Sequence, residues 1–516
     1  MSAGASFPSP DELHRRKLAW VKAGHPGPIP SNVEWRSAVS EEERKGLEGS
    51  VARKPTRTLS GVAVVAVMTP PAACPHGRCS YCPGGVEART PQSYTGEEPS
   101  ALRGAQLGWD SRAITEHRLN VLETIGHPTS KVEVILMGGT FPARPKPVRD
   151  RVFKGVFDGL NATVSPTLAD AQQLNEHAKR RLVSLTVETR PDWCSARNLP
   201  DLLEAGVTRV ELGVECLTDS VLRNVGREHG TDEVVQASRE ARDRGLKLCY
   251  HLMLGLPGMD PARDLADLRR LFDDSYFRPD MVKLYPTLVI PGTALYDDWK
   301  AGRYEPYDTP TATELLAKVK AILPPWVRVQ RIQRDIPARL IAAGVRSSNI
   351  RELATKRLTE EGRRCRCLRC REVGRRATPS VEAFSLLESS YDSSLGVERF
   401  LSYEDPETDT VAAFLRLRFP SLETPGGLDG PVIRELKVLG SAVPIGGSAR
   451  GGRDYQHRGF GRRLVARAEE LAQESGFPRL YVMSAVGTRE YYRKLGFAAC
   501  GPHMAKAVFA ERNPRQ

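Results

Sequence analysis

The chain has 516 residues, too many for one ordinary core, so two to four domains are expected. It is 40% apolar and 27% charged. No run approaches the roughly 20 apolar residues of a membrane helix, and the opening MSAGASFPSPDELHRRK lacks a signal-peptide core. Membrane and secreted classes are therefore set aside, the cytoplasm is the expected address, and the net charge of +12 suits a polyanionic partner such as nucleic acid.

Residues 1–58 are polar, with Pro26, Pro28 and Pro30 and the bases Arg15, Arg16, Lys17, Lys22, Arg53, Lys54 and Arg57, and read as a basic arm. From 59 to 334, apolar β-branched runs at 61–68, 132–139, 183–189, 209–215, 246–255 and 281–289 alternate with polar segments of helical spacing, such as 232–245 and 262–273. That alternation predicts an α/β fold with a parallel sheet covered on both faces. Repeated in series, it predicts a partial (β/α) barrel, with 327–332 as an added edge strand. From 335 to 378 the composition changes: Arg363, Arg364, Arg366, Arg369, Arg371, Arg375 and Arg376 crowd around cysteines, and the segment reads as a linker. From 379 to 516 strands at 400–405, 411–419 and 432–440, a helix at 459–476, a strand at 479–486 and a helix at 488–495 predict a separate α+β domain.

Six of the ten cysteines fall in two clusters, which in a reducing compartment point to metal or cluster ligands rather than disulfides. Cys74-x4-Cys79-x2-Cys82 follows the first strand. Ferredoxin-type sites use four thiolates. Three leave one iron of a [4Fe–4S] cluster open, where the amino and carboxylate groups of S-adenosylmethionine can chelate. Pro83-Gly84-Gly85 lets the backbone turn closely around such a group. The alternative is a zinc knuckle completed by His76. Cys365-x-Cys367-x2-Cys370 offers three ligands at zinc-like spacing, with no fourth identifiable. In the last domain Gln456-His457-Arg458-Gly459-Phe460-Gly461 opens a helix, whose unpaired N–H groups and positive dipole end suit a pyrophosphate.

On these residues the barrel resembles the radical SAM enzymes. Gly138 and Gly139 in MGGT (137–140) look like the family's motif that receives the methionine amino group. Glu188 and Glu215, at later strand ends where barrels carry function, would help hold the adenosylmethionine, and Lys131 is grouped with the cofactor-binding residues. Gln456 to Gly461 resembles the coenzyme A motif of GNAT acetyltransferases. By that resemblance Tyr491 or Tyr492, in YYRKLGF, would protonate a departing thiolate, and Glu435 stands where a general base is kept.

The pairing resembles the catalytic subunit of Elongator over nearly the whole chain, through 58–69, 92–99, 137–141, 188–192, 278–290, 323–337, 400–405 and 491–497. The chain departs from that family's pattern at Glu215-Cys216 and at 227–231. The resemblance implies an enzyme that forms 5-carboxymethyluridine at the tRNA wobble position from acetyl-CoA by adenosylmethionine radical chemistry. Lys283, Tyr285 and His251, on strands facing the barrel mouth, would handle substrate or thioester. The anticodon stem-loop would meet the basic arm, Arg328, Arg331, Arg334 and the linker. Zinc is expected on Cys365, Cys367 and Cys370, and a homodimer stands open beside the monomer. The competing reading is a protein lysine acetyltransferase with a structural Fe–S cluster.

Overall fold

Period-2 patterning explains the first half of the molecule. In the computed structural model, which describes Thr58 and residues 60–375, 379–440 and 455–509, seven strands run parallel in sequential order. They are β1 (Val62–Met68), β2 (Lys131–Met137), β3 (Arg181–Thr189), β4 (Arg209–Glu215), β5 (Lys247–Leu254), β6 (Met281–Pro286) and β7 (Arg328–Ile332). β1 and β7 do not pair, so the barrel stays open. The expected basic arm, apart from Thr58, lies outside the described residues. Among the described residues no helix is long and apolar enough to cross a membrane.

Successive strand residues face opposite sides, and the two sides differ in chemistry. Val132, Val134 and Leu136 of β2 and Val210, Leu212 and Val214 of β4 belong to the core beneath the outer helices. The alternate positions, Glu133, Arg209, Glu211, His251 and Lys283, share the barrel interior. Barrel interiors are ordinarily filled by branched apolar side chains; this one is charged.

The second sheet contains β8 (Ser385–Ser393), β9 (Gly396–Asp405), β10 (Thr410–Phe419), β11 (Val432–Val438), β12 (Arg479–Val482), β13 (Ala498–Cys500) and β14 (His503–Ala507), in the order β13-β14-β12-β11-β10-β9-β8. Sequence patterning misses β8, β13 and β14. β8 reads SLLESSYDS and is a largely exposed edge, while β13 is three residues long. The helix Phe460–Glu474 lays Leu464, Val465, Ala468 and Leu471 on the sheet. β11 and β12 pair only at Val432↔Tyr481 and Ile433↔Val482 and then part.

This sheet caps the N-terminal mouth of the barrel through buried arginines. Arg434 of β11 bonds Asp280 at 2.6 Å, Glu398 at 2.8 Å and the Leu246 carbonyl at 3.0 Å. Arg416 reaches Asp280 at 3.6 Å and the Trp326 carbonyl at 2.7 Å. Arg418 pairs with Asp243 at 2.6 Å. The linker ties both sheets: Leu368 N–H donates to the Val327 carbonyl, and Glu372 bridges to Val411. Two bases expected on the RNA surface are turned inward instead. Arg328 pairs with Glu372 at 3.0 Å, and fully buried Arg371 pairs with Glu404 and Asp409, because Glu372, Glu404 and Asp409 at the seam demand cations.

Burial alone would raise the Asp280 carboxyl, but Arg434 and Arg242 outweigh it and hold it far below the usual carboxylate range. Its contribution is therefore present above the unfolded value near about pH 4 and is lost as pH falls further. Asp280→Asn is expected to cost about 3–5 kcal/mol in urea unfolding at pH 7 by leaving arginines unpaired. The gap to wild type should begin to narrow once the titration is taken below about pH 4.

Candidate functional site

The loop after β1 brings Cys74, Cys79 and Cys82 to the C-terminal ends of the strands. It is pinned by Ser80, whose N–H donates to the Val225 carbonyl at 3.0 Å and whose carbonyl accepts from Leu295 at 2.8 Å. Cys79 and Cys82 are buried and Cys74 is half-buried. His76 Nε2 lies 3.2 Å from Cys79 Sγ, Arg227 3.8 Å from the same sulfur, Ser93 Oγ 3.6 Å from Cys82 Sγ and Thr140 Oγ1 3.7 Å from Cys74 Sγ.

Sulfur spacing separates the two cysteine clusters. Cys365, Cys367 and Cys370 converge, with all three sulfurs within 4.8 Å of one another. Among the described residues Cys74, Cys79, Cys82 and His76 form no such single-ion set. A zinc knuckle needs that convergence, whereas a cubane holds each thiolate on a different iron and needs a wider frame. Glycines make room beside it. At Gly139 (φ +92°) a Cβ would stand 3.6 Å from Cys74 Sγ and 3.2 Å from Gln92, and at Gly138 (φ +122°) 2.6 Å from Thr69 Oγ1. Buried Arg190 leaves Nη1 without a hydrogen-bond partner on the same wall. The residues fit an iron–sulfur cluster with a polar ligand next to it.

One cavity joins this loop to the strand ends and is lined by Cys74, Gly139, Glu188, Glu211, Glu215, His251, Lys283 and Tyr285, with Tyr94, Arg227, Arg331 and Arg334 at its sides. Glu211 is its electrostatic centre. One oxygen takes His251 Nε2 at 2.8 Å and also the Lys283 ammonium; the other faces Arg209 at 3.2 Å. Lys283 lies 3.8 Å from Glu188, which accepts from the Tyr94 hydroxyl at 3.2 Å. Burial would strip the Lys283 proton, but Glu211 more than reverses this, so it stays an ammonium. Burial pushes the Tyr285 hydroxyl up to about 12, keeping it neutral. At Glu215 the β4–β5 register shifts and φ is +69°, a strained bulge of the kind found at working sites. Glu215 faces Arg227 at 3.6 Å, which also donates to the Gly213 carbonyl.

The other motif lies at the opposite mouth. Gly459 (φ +83°) turns the chain into Phe460–Glu474, with His457 and Arg458 exposed at the turn. Gln456 Nε2 donates to the Ser60 carbonyl at 3.1 Å and its Oε1 accepts from Lys131 at 3.4 Å. Lys131 therefore belongs with the glycine turn, not with the cysteines. Gly461 lies against Tyr491, since a Cβ there would stand 2.8 Å from the tyrosine hydroxyl. Three residues expected at the site are engaged elsewhere. Tyr492 is buried against Phe497 in the domain core, and the Phe460 ring packs on Tyr403 and Phe384, so neither side chain faces the turn. Glu435 is bound to Arg416 at 3.0 Å; burial would raise it, but Lys247 and Arg416 keep it ionised below its ordinary value.

Glu211 reads in sequence only as part of a strand end. Tyr94, Arg227 and Arg331 were not legible as neighbours of Lys283, since nothing local brings the segments after β1 and β4 together with β6 and β7.

A cysteine-bearing parallel barrel capped by a sheet with a glycine turn defines a radical SAM protein with a GNAT domain. The chain matches the Radical SAM superfamily over residues 68–271, the Radical_SAM C-terminal domain over 279–360 and the Acetyltransferase (GNAT) family over 450–497. It is 44% identical over 515 residues to the tRNA uridine(34) acetyltransferase of Methanocaldococcus jannaschii, covering 96% of this chain and 94% of that one. It is 42% identical over 496 residues to human Elongator complex protein 3, covering 93% and 90%. The solved structure of Methanocaldococcus infernus Elp3 with an N-terminal deletion superposes with a TM-score of 0.76 at 40% identity, over 87% of this chain and all of that one. The chain belongs to the Elongator complex protein 3 family.

Anaerobic reconstitution with iron and sulfide is expected to load about four irons on the first cluster. Cys79→Ala should lose most of that iron, measured by iron and sulfide analysis, while Cys249→Ser should keep it.

Proposed function

We propose that this protein modifies the wobble uridine of tRNA in the cytoplasm, forming a 5-carboxymethyl group from acetyl-CoA with S-adenosylmethionine as co-reactant. The observation that carries the reading is the pairing, on one barrel, of a cysteine-lined cavity at the strand C-termini with a glycine turn at the strand N-termini. The names of relatives sharing more than two-fifths of their residues over almost the whole chain support it.

Cys74, Cys79 and Cys82 would hold a [4Fe–4S] cluster, and Gly138, Gly139, Glu188 and Glu215 would seat S-adenosylmethionine beside it. When bound, cluster and adenosylmethionine supply a radical able to activate the acetyl methyl, whose hydrogens are too weakly acidic for ordinary base chemistry. The chain's own part is position and exclusion of water. Gln456, His457, Arg458, Gly459 and Gly461 would grip the coenzyme A pyrophosphate, with Lys131 reaching in from the barrel. Tyr491, whose hydroxyl lies against the first turn of the helix, would deliver a proton to the departing thiolate; this role falls to it rather than to Tyr492. Glu435 serves the domain seam in this reading. The anticodon stem-loop would extrude its wobble base into the cavity, where Tyr94 and Tyr285 offer aromatic surface, and Arg331 and Arg334 would meet phosphates at the rim.

Cys365, Cys367 and Cys370 would bind zinc as a brace between barrel and cap. Purified protein is expected to carry about one zinc per chain, lost in Cys367→Ala by elemental analysis.

The deciding experiment supplies the reconstituted protein with a reductant, tRNA, acetyl-CoA and S-adenosylmethionine and follows nucleosides by mass spectrometry. Carboxymethyluridine and 5′-deoxyadenosine are expected, and both should vanish in Cys79→Ala. Tyr491→Phe should lower turnover about 10–100-fold while Tyr492→Phe changes it little. Lysine acetylation of protein with neither nucleoside product would overturn the reading.

A further inference from the structure

The cavity wall made by β4, β5 and β6 has a hydrogen-bonding sense of its own. Glu211 is wholly buried and acts only as an acceptor. Because its carboxylate takes His251 Nε2, that nitrogen carries a proton, and in the neutral imidazole Nδ1 is an acceptor. The same oxygen holds Lys283, which has donors to spare and no acceptor. Arg209 lies 3.2 Å from the second oxygen as an ion pair on the far side of the carboxylate. The Tyr285 ring meets His251 edge-on with centroids 5.8 Å apart and limits its rotation. Glu211, Cys249 and His251 also lie at metal-ligand spacing, but the Lys283 ammonium already neutralises the carboxylate such an ion would need.

We propose that Lys283 and His251, both positioned by Glu211, read the imide edge of the extruded base: the ammonium donates to a uracil carbonyl and His251 Nδ1 accepts from N3–H. This deepens the tRNA reading and rests on it. Uracil presents a carbonyl acceptor beside an N–H donor. With the ammonium on the O4 side, cytosine sets its N4 amino donor against the ammonium and its unprotonated N3 against the imidazole acceptor. A site built to hydrogen-bond a polar edge rejects the wrong edge strongly because buried groups are left unpaired. The specificity for uridine is therefore carried by Lys283 and His251, and Glu211 is the positioning residue behind them.

The test uses the full-length protein without cofactors and fluorescent anticodon stem-loops that differ only at the wobble base: uridine, cytidine or 3-methyluridine. Wild type is expected to bind the uridine loop about 10-fold more tightly than either of the others, since paired contacts to a base edge discriminate against the wrong edge. In His251→Ala the penalty for 3-methylation should disappear, because the acceptor it offends is gone. Glu211→Gln should shrink the uridine-over-cytidine ratio several-fold and Glu211→Asp should restore part of it, a ratio that a general loss of stability does not move. Should a Glu211 variant fail to fold, the 3-methyl comparison in wild type and His251→Ala still decides. Equal binding of all three loops by wild type overturns the inference, as does a 3-methyl penalty that survives in His251→Ala. Absence of any modified uridine from fully loaded wild type would instead overturn the function proposed above, so the two failures are distinguishable.

Discussion

Charges of alternating sign run through the interior of this barrel and across its seam with the cap, and much of the structure follows from their pairing. Lys283, Glu211, Arg209 and Glu133 alternate in sign down the barrel interior. The field at Glu133 is completed by Lys437, which comes from β11 of the capping sheet. Glu435, Arg416 and Asp280 continue the alternation across the seam. Ion pairs removed from water recover their desolvation cost only when geometry and hydrogen bonding are complete. The cap is thus part of the barrel's electrostatic core rather than an appended module.

What the sequence revealed and what it hid divide along the same line. Strands β1 to β6 were legible because each carries apolar residues at alternate positions, and the two cysteine clusters because thiols in such spacing have few uses. β8 was hidden because an edge strand with residues such as Glu388, Ser389 and Ser390 facing water carries no apolar signal. The direction of a charged side chain was harder. Arg328 and Arg371 sit in arginine-rich stretches and look like surface bases, yet they answer Glu372 and Glu404, which lie in other elements. Tyr491 and Tyr492 are adjacent and identical in type. Only the helical turn that sends one into the core and the other to the glycine turn tells them apart.

The candidate site shows the same limit at finer grain. In RVELGVE the charged residues alternate with apolar ones, so Arg209, Glu211 and Glu215 could be assigned to one face from sequence. That His251 and Lys283 would converge on a single oxygen of Glu211 depends on the register of three neighbouring strands. His251 stands across from Gly213 on one side and Lys283 on the other, and this pairing carries their side chains toward the same carboxylate.

The cysteine loop stands above the ends of the strands and the glycine turn lies below their beginnings. A parallel strand advances about 3.3 Å per residue, so the seven residues of β2 separate the two mouths by about 20 Å. That span is a ruler set by backbone geometry, and no side-chain substitution can shorten it. On the proposed reading, an acyl unit bound at one mouth has to be carried a barrel's length to meet a base at the other. The length of the thioester's flexible arm, or the path of an acyl group released from it, then becomes a kinetic variable of the reaction in its own right.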